Sequence, residues 1–370
     1  MALVTGEQVH TCDKPEVFST IDSERAPVVS AVSVEFPPNR YPQEDVMAAL
    51  IGELGQDFTR FAETSGVAAR NLALPLNRYR EVDGFTEFNE IYGEVALDLS
   101  EKALLAALDR AGVRPDEVDI VFSTTVTGLM VPTLDTHLAG RVGLRPDVKR
   151  VPLFGLGCVA GAAGVARLSD YLRAFPDQVG VLLAVELCSL TAQRDMSIAN
   201  LVATSLFGDG VGVVVAVGTD RGTAATGRPS VLATRSRLYP DSQHVMGWKI
   251  GSTGFKIVLS ADVPVFAEKY LADDVRLFLA EFGLTSADIS TWICHPGGPA
   301  VIEAVEESLG LPDDALARTR ESLRENGNMS SVSILDVFRA TLAEPPEPGS
   351  FGLMMAMGPG FCSELVLLRW

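Results

Sequence analysis

Two segments of this 370-residue chain echo each other at one constant offset, and that echo constrains the fold more than any single motif. LDRAGVRPDEVDIVFSTT covers residues 108–125 and LAEFGLTSADISTWICHP covers 279–296. Aligned on Gly112 and Gly283, each shows a helix end, a glycine, an acidic residue (Glu117 or Asp288), then Val118 or Ile289 leading into an apolar strand. A second echo joins FGDGVGVVVAVG at 207–218 to MGPGFCSELVLLRW at the C-terminus. Each half therefore predicts helix, strand, second helix and a strand closed by a glycine turn. Duplicated α/β halves pack around one interface and place function there. The polar run 218–230 divides the chain into an N-terminal half, 1–220, and a C-terminal half, 221–370.

The apolar runs 179–186 and 210–218 predict buried strands, and 27–35 an earlier one that Pro37 and Pro38 end. Helices are expected over 43–53 and 56–64. Pro75 and Gly84 punctuate a polar stretch at 71–86, which reads as loop. An amphipathic helix is expected over 92–112, with Val95, Leu99, Leu104, Leu105 and Leu108 on one face and Gly112 as its C-terminal stop.

Charge and cysteine usage exclude several function classes. A net charge of −18 argues against nucleic acid and anionic membranes, so an anionic substrate would need a local basic patch. The 47% hydrophobic content with 33 glycines suits a tightly packed α/β enzyme. Cys12, Cys158, Cys188, Cys294 and Cys362 are odd in number and scattered without a C-x-x-C, which fits a reducing cytoplasm and no metal site. Residues 1–25 lack the apolar core of a signal peptide, and no apolar stretch is long enough to span a bilayer.

Chemistry points to residues 151–172, VPLFGLGCVAGAAGVARLSDYL, read as strand, glycine turn and a helix opening at or just after Cys158. Gly155, Gly157, Gly161 and Gly164 leave little bulk around the sulfur. A cysteine against a helix N-terminus is driven toward thiolate, which can carry a thiol from about 8.5 to ~3.5–7.5. The plainer alternative is a small buried hydrophobe, as most free cysteines are. In the second half, His295 ends an apolar strand before the turn PGGP, and Asn328 lies in NGNMSSVSILDVF at a helix entry. Their plainer alternatives are a surface histidine and a helix N-cap. If the two helix entries converge across the pseudo-dyad, a thiolate, an imidazole and a carboxamide meet at one thioester. The last two then hold its oxygen as it becomes anionic, or the enolate formed when a malonyl thioester loses carbon dioxide. A papain-like protease uses the same residue types, but its flanking signature is missing.

GCVAG around Cys158, LFGDG at 206–210, HPGGP at 295–299, GNMSS at 327–331 and MGPGF at 357–361 occur in that order. Together they resemble the type III polyketide synthases, collinearly from about residue 27 to Trp370. The resemblance implies a thiolase-like αβαβα fold of two pseudo-duplicated halves, a homodimer, and a Cys158–His295–Asn328 triad. It also implies CoA thioesters as substrates, with no cofactor and no carrier protein. It implies gatekeepers at Phe207 and Phe255, a cavity position at Thr191 governing starter choice, and a methionine near Met130 reaching the neighbouring subunit. A one-residue difference leaves Val131 as the alternative for that last role.

Departures from the plant pattern refine these expectations. Asp57 and Thr64 replace basic residues of a CoA-binding cluster, leaving Arg60, with Arg70 or other cations as substitutes. Ala192 stands where plant members tend to carry an aromatic, which suggests a cavity for an alkyl chain. ELCSLT, RLYPDSQHVMGWKIGSTGFKI and PLFGLGCVAGAAG resemble actinobacterial alkylpyrone and alkylresorcinol synthases. The expected activity is therefore loading of a fatty or branched acyl-CoA, extension with malonyl-CoA or methylmalonyl-CoA, and cyclisation. Alternatives are a ketoacyl synthase III-like enzyme that performs one condensation with an acyl carrier protein, and a non-catalytic scaffold of the same fold.

Overall fold

In the computed structural model, residues 25–191, 193–222 and 227–370 are described. The described elements begin with β1 (Val28–Glu35) and a small hairpin, β2 (Asn39–Pro42) with β3 (Ala69–Leu72), that brackets α1 (Gln43–Glu63). Gly55, at φ 72°, breaks α1 where the two predicted helices were separated. The stretch 71–86, expected to be loop, contains the end of β3, a 3-10 turn at Leu76–Arg80 and the first turn of α2 (Gly84–Ala111). That helix starts eight residues ahead of the expected residue 92, and Phe88 and Ile91 carry its apolar face one turn back from Tyr92. Tyr92 is 1% exposed, whereas Leu105, assigned to that face, is 41% exposed. Gly112 closes the helix in the left-handed conformation at φ 65°.

The rest of the first half runs β4 (Ile120–Thr125), α3 (Leu134–Val142), β5 (Lys149–Phe154), α4 (Ala160–Ala174), β6 (Val179–Leu187), α5 (Ile198–Leu206) and β7 (Asp209–Val217). The second half runs β8 (Ser230–Leu238), the hairpin β9 (Met246–Gly251) and β10 (Gly254–Leu259), then α6 (Val263–Phe266) and α7 (Ala272–Ala280). It continues through β11 (Ile289–Cys294), α8 (Pro299–Leu309), α9 (Ala317–Asn326), α10 (Ser331–Ala343), β12 (Phe351–Gly358) and β13 (Cys362–Arg369).

The strand order β11-β12-β13-β8-β1-β7-β6-β4-β5 repeats itself about its middle. β1 pairs with β7 as β8 pairs with β13, both antiparallel. β6–β7 and β12–β13 are likewise both antiparallel, and β4–β6 and β11–β12 are both parallel. Within the sheet the halves join where β1 pairs with β8 at Val28 and Ser230. Alternate side chains then sort into layers. Val181, Leu183, Val213 and Val215 face α2 and α3, whereas Leu182, Val214, Met354 and Val366 face α4 and α10. Leu353, Met355, Leu365 and Leu367 face α7 and α8 on the far side. Being packed between two sheet faces, α4 and α10 are buried along most of their lengths. This is the thiolase-like αβαβα arrangement.

Candidate active site

The two middle-layer helices begin side by side, and their entries carry the chemistry. Cys158 lies in a 3-10 turn, Gly157–Val159, between β5 and α4. Gly157 has φ 56°, and a Cβ there would lie 2.9 Å from the ring of Pro359, so glycine lets this turn close against the β12–β13 turn of the other half. Gly161 and Gly164 serve packing rather than access to sulfur. A Cβ on Gly161 would meet the Ser331 carbonyl oxygen and Ile334 at 2.4 Å, and one on Gly164 would meet Leu182 at 2.4 Å.

One cavity of about 570 Å³ is lined by Cys158, His295 and Asn328, together with Phe207 and Ser330. His295 follows β11 and extends its ladder, its N–H donating to the Met355 carbonyl at 3.0 Å. The ring is 6% exposed, and neither ring nitrogen has a hydrogen-bond partner. Both are left for whatever enters the cavity. Asn328 is not the cap of α10, a position held by Ser330. Its N–H donates to Leu206 O (2.8 Å) and its carbonyl accepts from Gly208 N–H (3.0 Å), a bridge that fixes it beside Phe207. Its Oδ1 accepts from Ser330 N–H at 2.8 Å and its Nδ2 donates to Gly297 O at 3.3 Å, which orients the carboxamide.

The electrostatics differ from the expectation of a preformed thiolate. Burial pushes the Cys158 thiol up to about 12, outweighing a hydrogen bond with Ser330. Burial takes His295 down to about 4. Taken group by group, burial favours the neutral thiol and the neutral imidazole, because each ion loses its hydration.

Glu186 is a residue that the sequence reading passed over. It is 0% exposed at the end of β6. Its Oε1 accepts from the Ser331 hydroxyl (2.7 Å) and the Ser330 hydroxyl (3.3 Å), and its Oε2 from Val126 N–H (3.1 Å) and the Thr127 hydroxyl (3.0 Å). Burial raises its carboxyl to about 7. Ser330 joins this carboxyl to the Cys158 side with a backbone at φ 50°, a region rarely used by residues other than glycine. The available signal was an acid within the otherwise apolar run VGVLLAVELCSL.

A second cavity, of about 690 Å³, meets the first at Cys188, Phe207, Trp248 and Ile257, which line both. Thr191 lines this second cavity. Ala192 lies outside the described residues. Phe255 reaches neither lining. It is 2% exposed and packs edge-on against Trp248 and Phe85, leaving Trp248 and Ile257 at the junction. Of the residues proposed for CoA, Arg60 is exposed at the end of α1 with its guanidinium 5.0 Å over Phe61, a ring that lines the first cavity. Arg70 is unsuited to phosphates at the surface. It is 2% exposed, and its guanidinium donates to Thr204 O (2.6 Å), Phe207 O (2.8 Å) and Gln43 Oε1 (2.8 Å). Met130 rests on Gly93, whereas Val131, the next residue, is 99% exposed.

A cavity holding a thiol, an imidazole and an amide can form a thioester on Cys158 and stabilise an oxyanion or enolate beside it. Among the described residues no cluster of metal ligands occurs, and no helix is long and apolar enough to cross a membrane.

Residues 32–221 match the family of chalcone and stilbene synthases, N-terminal domain, and residues 231–370 match the corresponding C-terminal domain. The chain is 50% identical over 354 residues to a 1,3,6,8-tetrahydroxynaphthalene synthase of Streptomyces peucetius subsp. caesius, covering 94% of each protein. It is 29% identical over 344 residues to a phloroglucinol synthase of Pseudomonas fluorescens, covering 91% of this chain and 97% of that protein. The crystal structure of the tetrahydroxynaphthalene synthase of Streptomyces coelicolor, a bacterial type III polyketide synthase, superposes with a TM-score of 0.88 at 28% identity, over 93% of this chain and 99% of that one. Five ordered motifs, a duplicated thiolase-like fold and these matches along nearly the whole chain agree that it belongs to the chalcone and stilbene synthase family, the type III polyketide synthases.

Proposed function

We propose that Cys158 takes an acyl group from a CoA thioester, that malonyl-CoA extends it by decarboxylative condensation, and that the chain is released as a cyclised aromatic polyketide. The family's enzymes are acyltransferases that use CoA thioesters and no resident cofactor. The observation that carries the reading is the single cavity lined by Cys158, His295 and Asn328. His295 takes the thiol proton as sulfur attacks the thioester carbonyl, and returns it to the departing CoA sulfur. Malonyl-CoA then loses carbon dioxide. The bond pair becomes an enolate whose oxygen faces His295 and the Asn328 amide, and its carbon attacks the Cys158 thioester and expels the thiolate. In this reading the half 1–220 supplies the nucleophile and the half 221–370 the two oxyanion partners. A reducing cytoplasm keeps the thiol free.

A fatty or branched starter giving an alkylpyrone or alkylresorcinol is a second reading, favoured by the apolar α1 face of Val46, Ala49, Leu50 and Leu54 along the second cavity. Against it, tetrahydroxynaphthalene and phloroglucinol, the products named for two relatives, carry no alkyl chain. Methylmalonyl-CoA as extender would be read by the same assay.

Purified protein incubated with malonyl-CoA, with and without added acyl-CoA starters and without carrier protein, tests the proposal by mass spectrometry. Cyclised products of three or more units are expected. Condensation only when acyl carrier protein is supplied would favour a single-condensation enzyme instead. Cys158→Ala should abolish the covalent acyl adduct while leaving the protein folded, and an adduct persisting in that variant would refute the nucleophile.

A further inference from the structure

The two cavities differ in charge. Among the described residues, the catalytic cavity is lined by one carboxylate, Glu303, and by no lysine or arginine. The second cavity is lined by four cations, Arg70, Arg80, Arg194 and Lys256, against two carboxylates, Glu53 and Asp195. In a chain of net charge −18 this excess of cations around a cavity is not a consequence of composition.

Three of the four cations already have a counter-ion. Arg80 pairs with Glu53 at 2.6 Å and Lys256 with Asp195 at 2.8 Å. Arg70 is held by carbonyls and Gln43 and is compensated by the buried carboxylate of Asp209. Arg194 has none among the described residues. Its Nη2 donates to the carbonyls of Arg80 (3.1 Å), Tyr79 (3.4 Å) and Val82 (3.4 Å), which fixes the side chain and leaves Nε and Nη1 without a partner. A guanidinium held in place with two nitrogens open is matched by a carboxylate, which accepts two parallel N–H bonds.

We propose that the second cavity is the subsite for an anionic distal end of the acyl chain, and that Arg194 binds the terminal carboxylate of a dicarboxylic starter. The inference rests on the polyketide synthase reading above. Each condensation inserts two carbons at the thioester end, so the far end of the starter is pushed away from Cys158. The junction at Phe207, Cys188, Trp248 and Ile257 leads it into the second cavity. A distal carboxylate arriving there finds the one uncompensated charge, whereas an alkyl end would desolvate it without return.

The test compares glutaryl-CoA with pentanoyl-CoA as starters, malonyl-CoA being the extender in both. They differ only at the distal group, and glutaryl does not decarboxylate. In Arg194→Gln the ratio of extended product from glutaryl to that from pentanoyl should fall about ten- to a hundred-fold, the scale of one charge-assisted hydrogen bond. Arg194→Lys should recover part of it. Because Arg194 also caps the 76–80 turn, Lys256→Gln provides a variant that leaves those carbonyls bonded, and its ratio should move in the same direction. Adducts of both starters on Cys158, read by intact mass, verify that each loads. An unchanged ratio with both adducts present overturns the subsite and leaves the synthase reading standing. Absence of both adducts while malonyl-CoA alone still yields product overturns the subsite, and absence of product from malonyl-CoA as well overturns the synthase reading.

Discussion

At the scale of single residues, burial governs the titrating groups of the cavity. With the Cys158 thiol pushed up to about 12 and His295 down to about 4, the free enzyme holds a neutral pair near neutral pH. Alkylation of Cys158 by iodoacetamide should then climb steadily with pH between about 6 and 9. A rate already on a plateau at pH 6 would show a preformed thiolate–imidazolium pair instead. Glu186 gives a second expectation. Its carboxyl is raised from 4.5 to about 7 by burial, so the folded protein binds a proton that the unfolded chain has released. That contribution is complete below pH 4.5 and is lost as pH rises through 7. The difference corresponds to about 3 kcal/mol. The decline should flatten in Glu186→Gln, measured by denaturant unfolding from pH 4 to pH 8. An identical slope in the variant would remove Glu186 as its source.

At the scale of elements, the contact between α4 and α10 sets the geometry of the site, because Cys158 precedes one helix and Asn328 the other. Gly161 is where they touch. A methyl group there would meet the Ser331 carbonyl oxygen and Ile334 at 2.4 Å. Gly161→Ala should therefore cost at least ~1–3 kcal/mol of stability, since a backbone atom cannot move aside as a flexible side chain can. It should also depress condensation more than overall folding. Gly140→Ala is the control. This glycine lies in α3 with nothing within 4 Å of the added methyl, and substitution there should stabilise by ~0.5–1 kcal/mol. Melting temperatures of the two variants should move in opposite directions.

At the scale of the whole molecule, Val131 is a large apolar side chain left 99% exposed beside Leu129, itself 39% exposed. We expect a homodimer in which this tip is covered, and light scattering on the purified protein should return two chains per particle. A single chain per particle at micromolar concentration would remove the dimer from the account.

Much of this molecule follows from local sequence. The glycine–acid–apolar echo implied two like halves because each half builds the same helix stop and strand: Gly112 and Gly283 are both left-handed, and each precedes a short capped turn. Cys158, His295 and Asn328 stood out because glycine turns beside apolar strands are local signals. The helix break in α1 was legible for the same reason, at a glycine with positive φ. Tertiary structure alone decided the rest. The ionisation of Cys158 depends on how much protein surrounds it, which no local pattern records. The role of Gly161 depends on a helix 170 residues away, and the buried state of Arg70 on carbonyls at 204 and 207. The packing of Phe255 behind Trp248, and the opposite charge of the two cavities, arise from side chains of distant segments meeting in space. Sequence determines what each segment can form, whereas burial and charge balance are sums over neighbours that only the folded chain assembles.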